Sequence, residues 1–341
     1  MGYRAAVVGC GRIAGRLDDD PRRSEIWTHA GAYTAVSKVA LVAAADIDLE
    51  RLEAFGKRWQ VPMLYQDYRQ MLAKERLDIL SICTHSPLHL PITKAAVEAG
   101  VQAIFCEKPL AECLDSADQI VALCQERGVT LAVNHTRRWD CSYRKVNTCL
   151  ATGQIGKIQA MTAYYTGGVA NIGSHLFDVL RLLGGEVHWV QAATTNGASP
   201  EDPDLSGSVY FTDGFLCHIH GCNQQNYLLI EIDILGTNGR LKISQNGACV
   251  EHWTAQQSER YSGYHELVPE TPVMTLAENR RMVHAVEDIT ACLESGAEPQ
   301  CSGQDGRGAL ELVAAFRQSY LSGGEKVYLP MQERRIKLPS K

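Results

Sequence analysis

Val7-Val8-Gly9-Cys10-Gly11-Arg12-Ile13-Ala14 closes the first apolar run of the chain and decides how the rest is read. It fits the pattern G-x-G-x-x-G/A, whose glycines let backbone approach a pyrophosphate while the free N–H groups of a following helix favour an anion. Loop glycines in any β-α turn do the same steric work, so the match gains weight only from its context. That context is Glu107-Lys108-Pro109, set just after the apolar run Val101 to Phe105. A lysine at a strand end in such a chain points to nicotinamide redox chemistry. Gly9, Gly11, Arg12 and Ile13 are the expected cofactor contacts of the turn.

The first third alternates short apolar strands with helical stretches, the pattern of βαβ units and a doubly wound parallel sheet. Strands are expected at Arg4–Val8, Ala40–Ala45, Ile79–Cys83, Ala103–Cys106 and Leu131–Val133, with a short one near Met63–Tyr65. Helices are expected at His29–Val36, Leu49–Arg58, Tyr68–Lys74, Ile92–Ala99 and Ser116–Arg127. Asp46 ends the second strand, where a carboxylate takes the ribose hydroxyls about 20 residues beyond the fingerprint. It lies 32 residues beyond Ala14, roughly a dozen more than that norm. The polar, proline-broken stretch Arg16 to Trp27 accounts for the excess as an exposed excursion. Asp46-Ile47-Asp48 offers no arginine to a 2′-phosphate, which favours NAD over NADP. Thr84-His85-Ser86-Pro87-Leu88-His89 follows another strand at its carboxyl end, where open α/β sheets bind ligands. Thr84, Ser86 and His89 are therefore expected beside the nicotinamide ribose, with Glu107 and Lys108 at the same cofactor.

Removing hydride from a secondary alcohol leaves a developing ketone, so a base must take the hydroxyl proton and a cation should stabilise the oxygen. Lys108 can do both: desolvation lowers its pKa, and neighbouring Glu107 opposes that shift. A second constellation is Asn171-Ile172-Gly173-Ser174-His175-Leu176-Phe177-Asp178. Helical spacing puts 171, 175 and 178 on one face, with their polar ends expected to look outward into a pocket.

Beyond residue 150 the rhythm changes to alternating runs bounded by turns: Gly185–Thr194, Gly207–Phe211, Phe215–His220, Leu228–Leu235, Arg240–Ile243 and Ala248–Thr254. Thr212-Asp213-Gly214 and Thr237-Asn238-Gly239 are hairpin turns, because Asp-Gly and Asn-Gly accept positive φ. A large antiparallel sheet should follow, then helices at Asn279–Ser295 and Asp305–Ser322.

With 341 residues and 45% hydrophobic content the chain exceeds what one core supports, so two domains are expected. The net charge of −6 comes without a basic stripe, which argues against nucleic acid or an anionic membrane as partner. No apolar stretch is long enough to cross a bilayer and no signal-peptide architecture precedes the first strand, so a cytoplasmic protein is expected. The twelve cysteines include no C-x-x-C and mostly sit in apolar runs, as buried free thiols do. Cys217-His218-Ile219-His220 could put two histidines on one face of a strand, but no second ligand pair accompanies it and no metal is expected.

Gly9-Cys10-Gly11, Glu107-Lys108-Pro109, Gly173-x-His175-x-x-Asp178 and Ile234-Leu235-Gly236-Thr237-Asn238-Gly239 together resemble the glucose-fructose oxidoreductase, inositol dehydrogenase and MocA family. Ser302-Gly303-Gln304-Asp305-Gly306-Arg307 and the stretch from Ser322-Gly323-Gly324 to Leu329-Pro330 are similar to its C-terminal pattern. The resemblance implies a Rossmann domain over 1–125 and a substrate and oligomerisation domain over 126–341. The latter would carry an open, mostly antiparallel sheet, with the C-terminal helices packing back on the first domain and assembly as a dimer or tetramer. It implies a carbohydrate or polyol substrate whose hydroxyl Lys108 holds, with His175 taking the proton and Asp178 supporting the site. Asn134-His135 and Arg137-Arg138-Trp139 match a segment that faces cofactor and substrate, which makes Arg138 a substrate ligand. Family dehydrogenases often carry an aspartate where this chain has Asn171, and an amide can orient a hydroxyl but cannot take its proton. Two other readings follow from the resemblance: tightly bound NAD in a closed oxidation-reduction cycle that cleaves a glycoside, or a nicotinamide-sensing regulator without catalysis.

Overall fold

The computed structural model describes residues 2–194, 201–270, 274–275 and 280–338. Six short strands rich in Ala, Val and Ile form the first sheet: β1 (Tyr3–Val8), β2 (Val39–Ala45), β3 (Met63–Tyr65), β4 (Ile79–Ile82), β5 (Ala103–Cys106) and β6 (Thr130–Val133). They pair in parallel in the order β3-β2-β1-β4-β5-β6. The connecting helices are α1 (His29–Ala35), α2 (Leu49–Trp59), α3 (Tyr68–Lys74), α4 (His89–Glu98) and α5 (Leu114–Arg127). β4 and β5 are buried at every position, as strands covered on both faces must be. The carboxyl ends of β1, β2, β4, β5 and β6 carry the glycine turn, Asp46, Thr84, Glu107 and Asn134 respectively.

The excursion between β1 and α1 has a definite construction. After the glycine turn the chain makes a short 3₁₀ turn at Arg16–Asp19 and an irregular stretch, and α1 begins only at His29. Its first amides nevertheless bond back across the gap, His29 N to the Ile13 carbonyl at 3.2 Å and Ala30 N to that of Ala14 at 2.9 Å. An α-helix bonds each N–H to the carbonyl four residues earlier. Two residues in place of 15–28 would therefore make the helix continuous, so twelve are inserted. Subtracting them leaves Asp46 twenty residues from Ala14, in line with the usual spacing of about 20. Asp18 closes the excursion by accepting from Trp27 N at 2.7 Å and Thr28 Oγ1 at 2.6 Å.

The second sheet grows from α6 (Cys141–Ala151), β7 (Ile158–Thr166), a π-helical turn at Gly168–Ile172, α7 (Gly173–Gly184) and β8 (Val187–Thr194). It continues through β9 (Leu205–Phe211), β10 (Leu216–Cys222), β11 (Ile230–Gly236), β12 (Gly239–Ser244), β13 (Cys249–Gln257), β14 (His265–Pro269) and β15 (Met274–Thr275). The chain ends through α8 (Arg281–Ser295), α9 (Gly303–Leu321) and β16 (Val327–Tyr328). The path is β14-β13-β12-β11-β7-β10-β9-β8-β16, with β15 on β13; all pairs are antiparallel except β7 with β10. Met161, Ala163 and Tyr165 of β7 lie on the buried face, in register with Cys217, Ile219 and Gly221 of β10. Neither α6 nor the central strand β7 was expected from sequence. The Asn279 start expected for α8 lies outside the described residues.

The chain divides into two compact units, Met1–Trp139 with Arg280–Leu310 and Arg335–Lys341, and Asp140–Asn279 with Glu311–Arg334. The boundary expected at residue 125 falls instead after Trp139, because β6 completes the first sheet and Trp139 is held within that unit. The indole Nε1 of Trp139 donates to Asp288 Oδ2 of α8 at 2.9 Å. Gly306 in α9 lies so close to β6 that a Cβ there would meet the Val133 side chain at 2.6 Å.

Candidate active site

Gly9 has φ +90°, and a Cβ there would lie 2.9 Å from the backbone C and O of Cys83, so only glycine fits the turn. Gly11 differs: nothing stands within 4 Å of its Cβ position, which leaves an open approach to backbone. Arg12 is exposed and Ile13 half-buried. Asp46 is buried, its Oδ2 accepting from Cys10 N at 2.7 Å and its Oδ1 from Asp48 N at 2.9 Å, so the carboxylate ties the glycine turn to the end of β2. Sequence reading found no arginine near this position, and the structure corrects that. Arg51, in the first turn of α2, reaches Asp46 at 3.4 Å and Asp48 at 3.1 Å. Its charge is already matched by two carboxylates. A cavity of about 460 Å³ opens beside this end, lined by Cys10, Gly15, Arg16, Arg51, Phe55 and Trp59 among others.

At the ends of β4, β5 and β6 the polar atoms sort into engaged and unengaged. Thr84 Oγ1, Ser86 Oγ and Asn134 Oδ1 are buried without a hydrogen-bond partner among the described residues. Buried polar atoms in folded proteins are paired, so three orphans after β4 and β6, the strands flanking β5, could receive a ligand. His89 is engaged instead, which corrects its assignment as a cofactor contact. Its Nε2 lies 3.0 Å from the Thr84 carbonyl and its Nδ1 3.1 Å from that of Leu110 and 3.3 Å from Cys106 Sγ. Burial pushes the imidazole pKa down, outweighing these bonds. His89 braces the loop after β4 against β5. Glu107 is committed likewise, with Oε1 taken by His29 Nε2 at 2.9 Å and Asn134 Nδ2 at 2.5 Å, and Oε2 by Lys108 N at 3.2 Å. Lys108 is half-buried and its peptide bond to Pro109 is cis. His135 behind it is neutral: burial, then the Lys108 and Arg138 charges, lowers its pKa to about 3. Arg138 is buried and pairs with Asp305 at 3.0 Å. An open backbone approach at Gly11, a ribose-type carboxylate and unengaged polar atoms at the strand ends fit a nicotinamide dinucleotide.

In the second unit Asn171 belongs to the π-turn, and His175 and Asp178 belong to α7. The turn is clamped by two buried aspartates that sequence reading missed. Asp202 accepts from Ala170 N at 2.7 Å and Asn171 N at 3.1 Å, and Asp204 from Gly168 N at 2.7 Å. Gly168 has φ +84°, and a Cβ there would meet Asp202 Oδ2 at 2.2 Å. The single outward face expected for 171, 175 and 178 needs correction: the π-turn takes Asn171 out of α-helical register, and Asp178 is 0% exposed while Asn171 and His175 are half-buried. His218 and His220 are occupied elsewhere, the first with Ser208 Oγ at 3.2 Å and the second stacked on Tyr164 at 5.0 Å.

Residues 3–135 match the model of an oxidoreductase family with an NAD-binding Rossmann fold, and residues 143–242 match the GFO/IDH/MocA C-terminal domain. The chain is 28% identical to D-apiose dehydrogenase of Paraburkholderia graminis, covering 95% of this chain and 88% of that protein. It is 22% identical to myo-inositol 2-dehydrogenase of Thermotoga maritima, over 93% and 96% respectively. An oxidoreductase from Agrobacterium radiobacter, solved in complex with NAD+, L-tartaric acid and magnesium, shares the fold with a TM-score of 0.78 at 21% identity, over 96% of this chain and 98% of that one. With both halves matched in order and the glycine turn, Asp46 and Lys108 at the carboxyl ends of one parallel sheet, the chain belongs to the Gfo/Idh/MocA family of NAD-binding oxidoreductases.

Proposed function

We propose that the protein is an NAD-dependent dehydrogenase that reversibly oxidises a secondary hydroxyl of a sugar, cyclitol or sugar derivative. The observation that carries this reading is Lys108 at the end of β5, between the β4 and β6 ends with the unengaged Thr84, Ser86 and Asn134 atoms, in the sheet whose β1 end carries the glycine turn. Names of relatives acting on D-apiose and myo-inositol support the substrate class. The C–H bond gives up a hydride to the nicotinamide, the O–H bond gives up a proton, and a ketone forms. In this reading Lys108 donates to the reacting oxygen and His175 accepts the proton, while Asn171 orients the hydroxyl and Asp178 and Arg138 support the substrate side. Asp46 takes the ribose hydroxyls, and NAD is preferred to NADP because a 2′-phosphate would meet Asp46 and Asp48.

No helix among the described residues is long and apolar enough to cross a membrane. Twelve free cysteines support a reducing, cytoplasmic setting. A homo-oligomer belongs to the same reading, supported by Tyr164, Leu235 and Leu267 exposed on the second sheet, and light scattering reads its size.

The test is reduced-nicotinamide absorbance on incubating the protein and NAD with polyols, cyclitols, free sugars, glycosides and sugar acids. Lys108→Ala is expected to lower turnover by about 10²–10⁴-fold, the range of acid-base assistance, with NAD affinity nearly kept. Full turnover in that variant would remove Lys108 from the chemistry; a glycoside cleaved without net reduction would favour the closed cycle instead.

A further inference from the structure

His29 opens a helix, a position usually near solvent, yet it is 0% exposed and both ring nitrogens are engaged. Nδ1 lies 2.7 Å from Ser81 Oγ, and Ser81 Oγ lies 2.6 Å from Tyr33 Oη. Nε2 lies 2.9 Å from Glu107 Oε1, the oxygen that also receives Asn134 Nδ2. The ring is held against Phe105, with centroids 4.4 Å apart. The interrupted α1 places it there, through the bond of His29 N to the Ile13 carbonyl.

Proton accounting gives this chain a direction. Burial pushes the Glu107 carboxyl up, but the His29 bond and charge, Asn134 and Lys108 outweigh it and hold it below the usual range. An ionised carboxylate only accepts, so Nε2 carries its hydrogen and donates. Burial pushes the Tyr33 hydroxyl up, so Tyr33 remains a donor, to Ser81. Ser81 Oγ thus stands between Tyr33 Oη and His29 Nδ1 in one chain of hydrogen bonds. The carboxylate also fixes the Asn134 amide: its nitrogen must face Glu107, which leaves Oδ1 as a buried acceptor without a partner among the described residues.

We infer that His29 is a positioning residue for the nicotinamide end of the cofactor, acting through Glu107 to hold the Asn134 amide with its oxygen presented to the ligand. The matching ligand group is a neutral N–H donor, which the nicotinamide carboxamide supplies. This rests on the NAD-dependent reading above. It adds a determinant that touches neither substrate nor cofactor.

The experiment compares the binding of NAD with that of ADP-ribose, which lacks only the nicotinamide, to the wild type, His29→Leu and His29→Gln. His29→Leu is expected to weaken NAD about tenfold and ADP-ribose by less than about twofold, the size of one lost charge-assisted bond. His29→Gln keeps a donor toward Glu107 and should recover most of the loss. Equal weakening of both ligands would make His29 merely structural, and unchanged NAD binding would show that the chain orients nothing; either overturns the inference. A wild type that binds neither ligand would overturn the cofactor reading together with it. If His29→Leu does not fold, Ser81→Ala, which removes the partner of Nδ1, should give the same selective loss in smaller measure.

Discussion

Asp46 does three things with one carboxylate: it holds the glycine turn through Cys10 N, starts the next loop through Asp48 N and pairs with Arg51. Asp46→Ala is therefore expected to cost NAD at least about tenfold in affinity, the worth of a charge-assisted ribose bond. NADP should lose less, because Arg51 would be released from one of its two carboxylates. Titration with both cofactors checks this, and equal losses would count against ribose recognition. Asp46, Lys108 and Gly9 are legible in sequence because each sits at a strand end, where position along the chain fixes position in the fold. His29 and Arg51 are not. The partners of His29 lie 52 and 78 residues away and meet it only through sheet order. Arg51 comes back to Asp46 through the cap of α2, a turn that no spacing rule announces.

The first helix shows how an element can be interrupted without being lost. Replacing residues 15–28 by two alanines should restore one continuous helix from the glycine turn. The variant is expected to fold and to bind NAD, with a thermal midpoint lowered by the loss of the excursion's contacts to retained residues, such as Asp19–Arg58 and Arg281 over the Trp27 ring. Thermal unfolding and NAD titration read the outcome; a chain that fails to fold would show that the excursion itself carries structure. The strands of the first sheet are legible because a strand buried on both faces reads as a plain apolar run. β7 is harder, since its buried face is Met161, Ala163 and Tyr165 among exposed Ala160 and Tyr164, with little contrast between faces. In α6 the buried side chains are Ser142, Tyr143, Val146 and Cys149, a mixed set without an aliphatic stripe. The π-turn has no periodic signal either, because it is imposed by Asp202 and Asp204 from a distant segment.

For the molecule as a whole, buried histidines make stability depend on pH. The folded His135 titrates near 3, and an unfolded histidine near about 6.5. Between those values the unfolded chain binds a proton that the folded one does not, so stability falls as pH falls through that window, by up to about 1.4 kcal/mol per pH unit. Glu107, held low in the folded state, acts in the same direction toward more acidic pH. Urea unfolding from pH 7 to 4 should show this slope, and His135→Gln should flatten it; a wild-type curve already flat would refute the assignment. The change of rhythm near residue 150 is legible in the sequence, whereas Arg280–Leu310 returns to the first unit through contacts that no local pattern announces. That return has a consequence for biosynthesis. The six strands of the first sheet leave the ribosome well before α8 and the start of α9, which supply the cover for Val133 and the partner for Trp139. The growing chain thus carries an unfinished apolar flank through the translation of its entire middle portion.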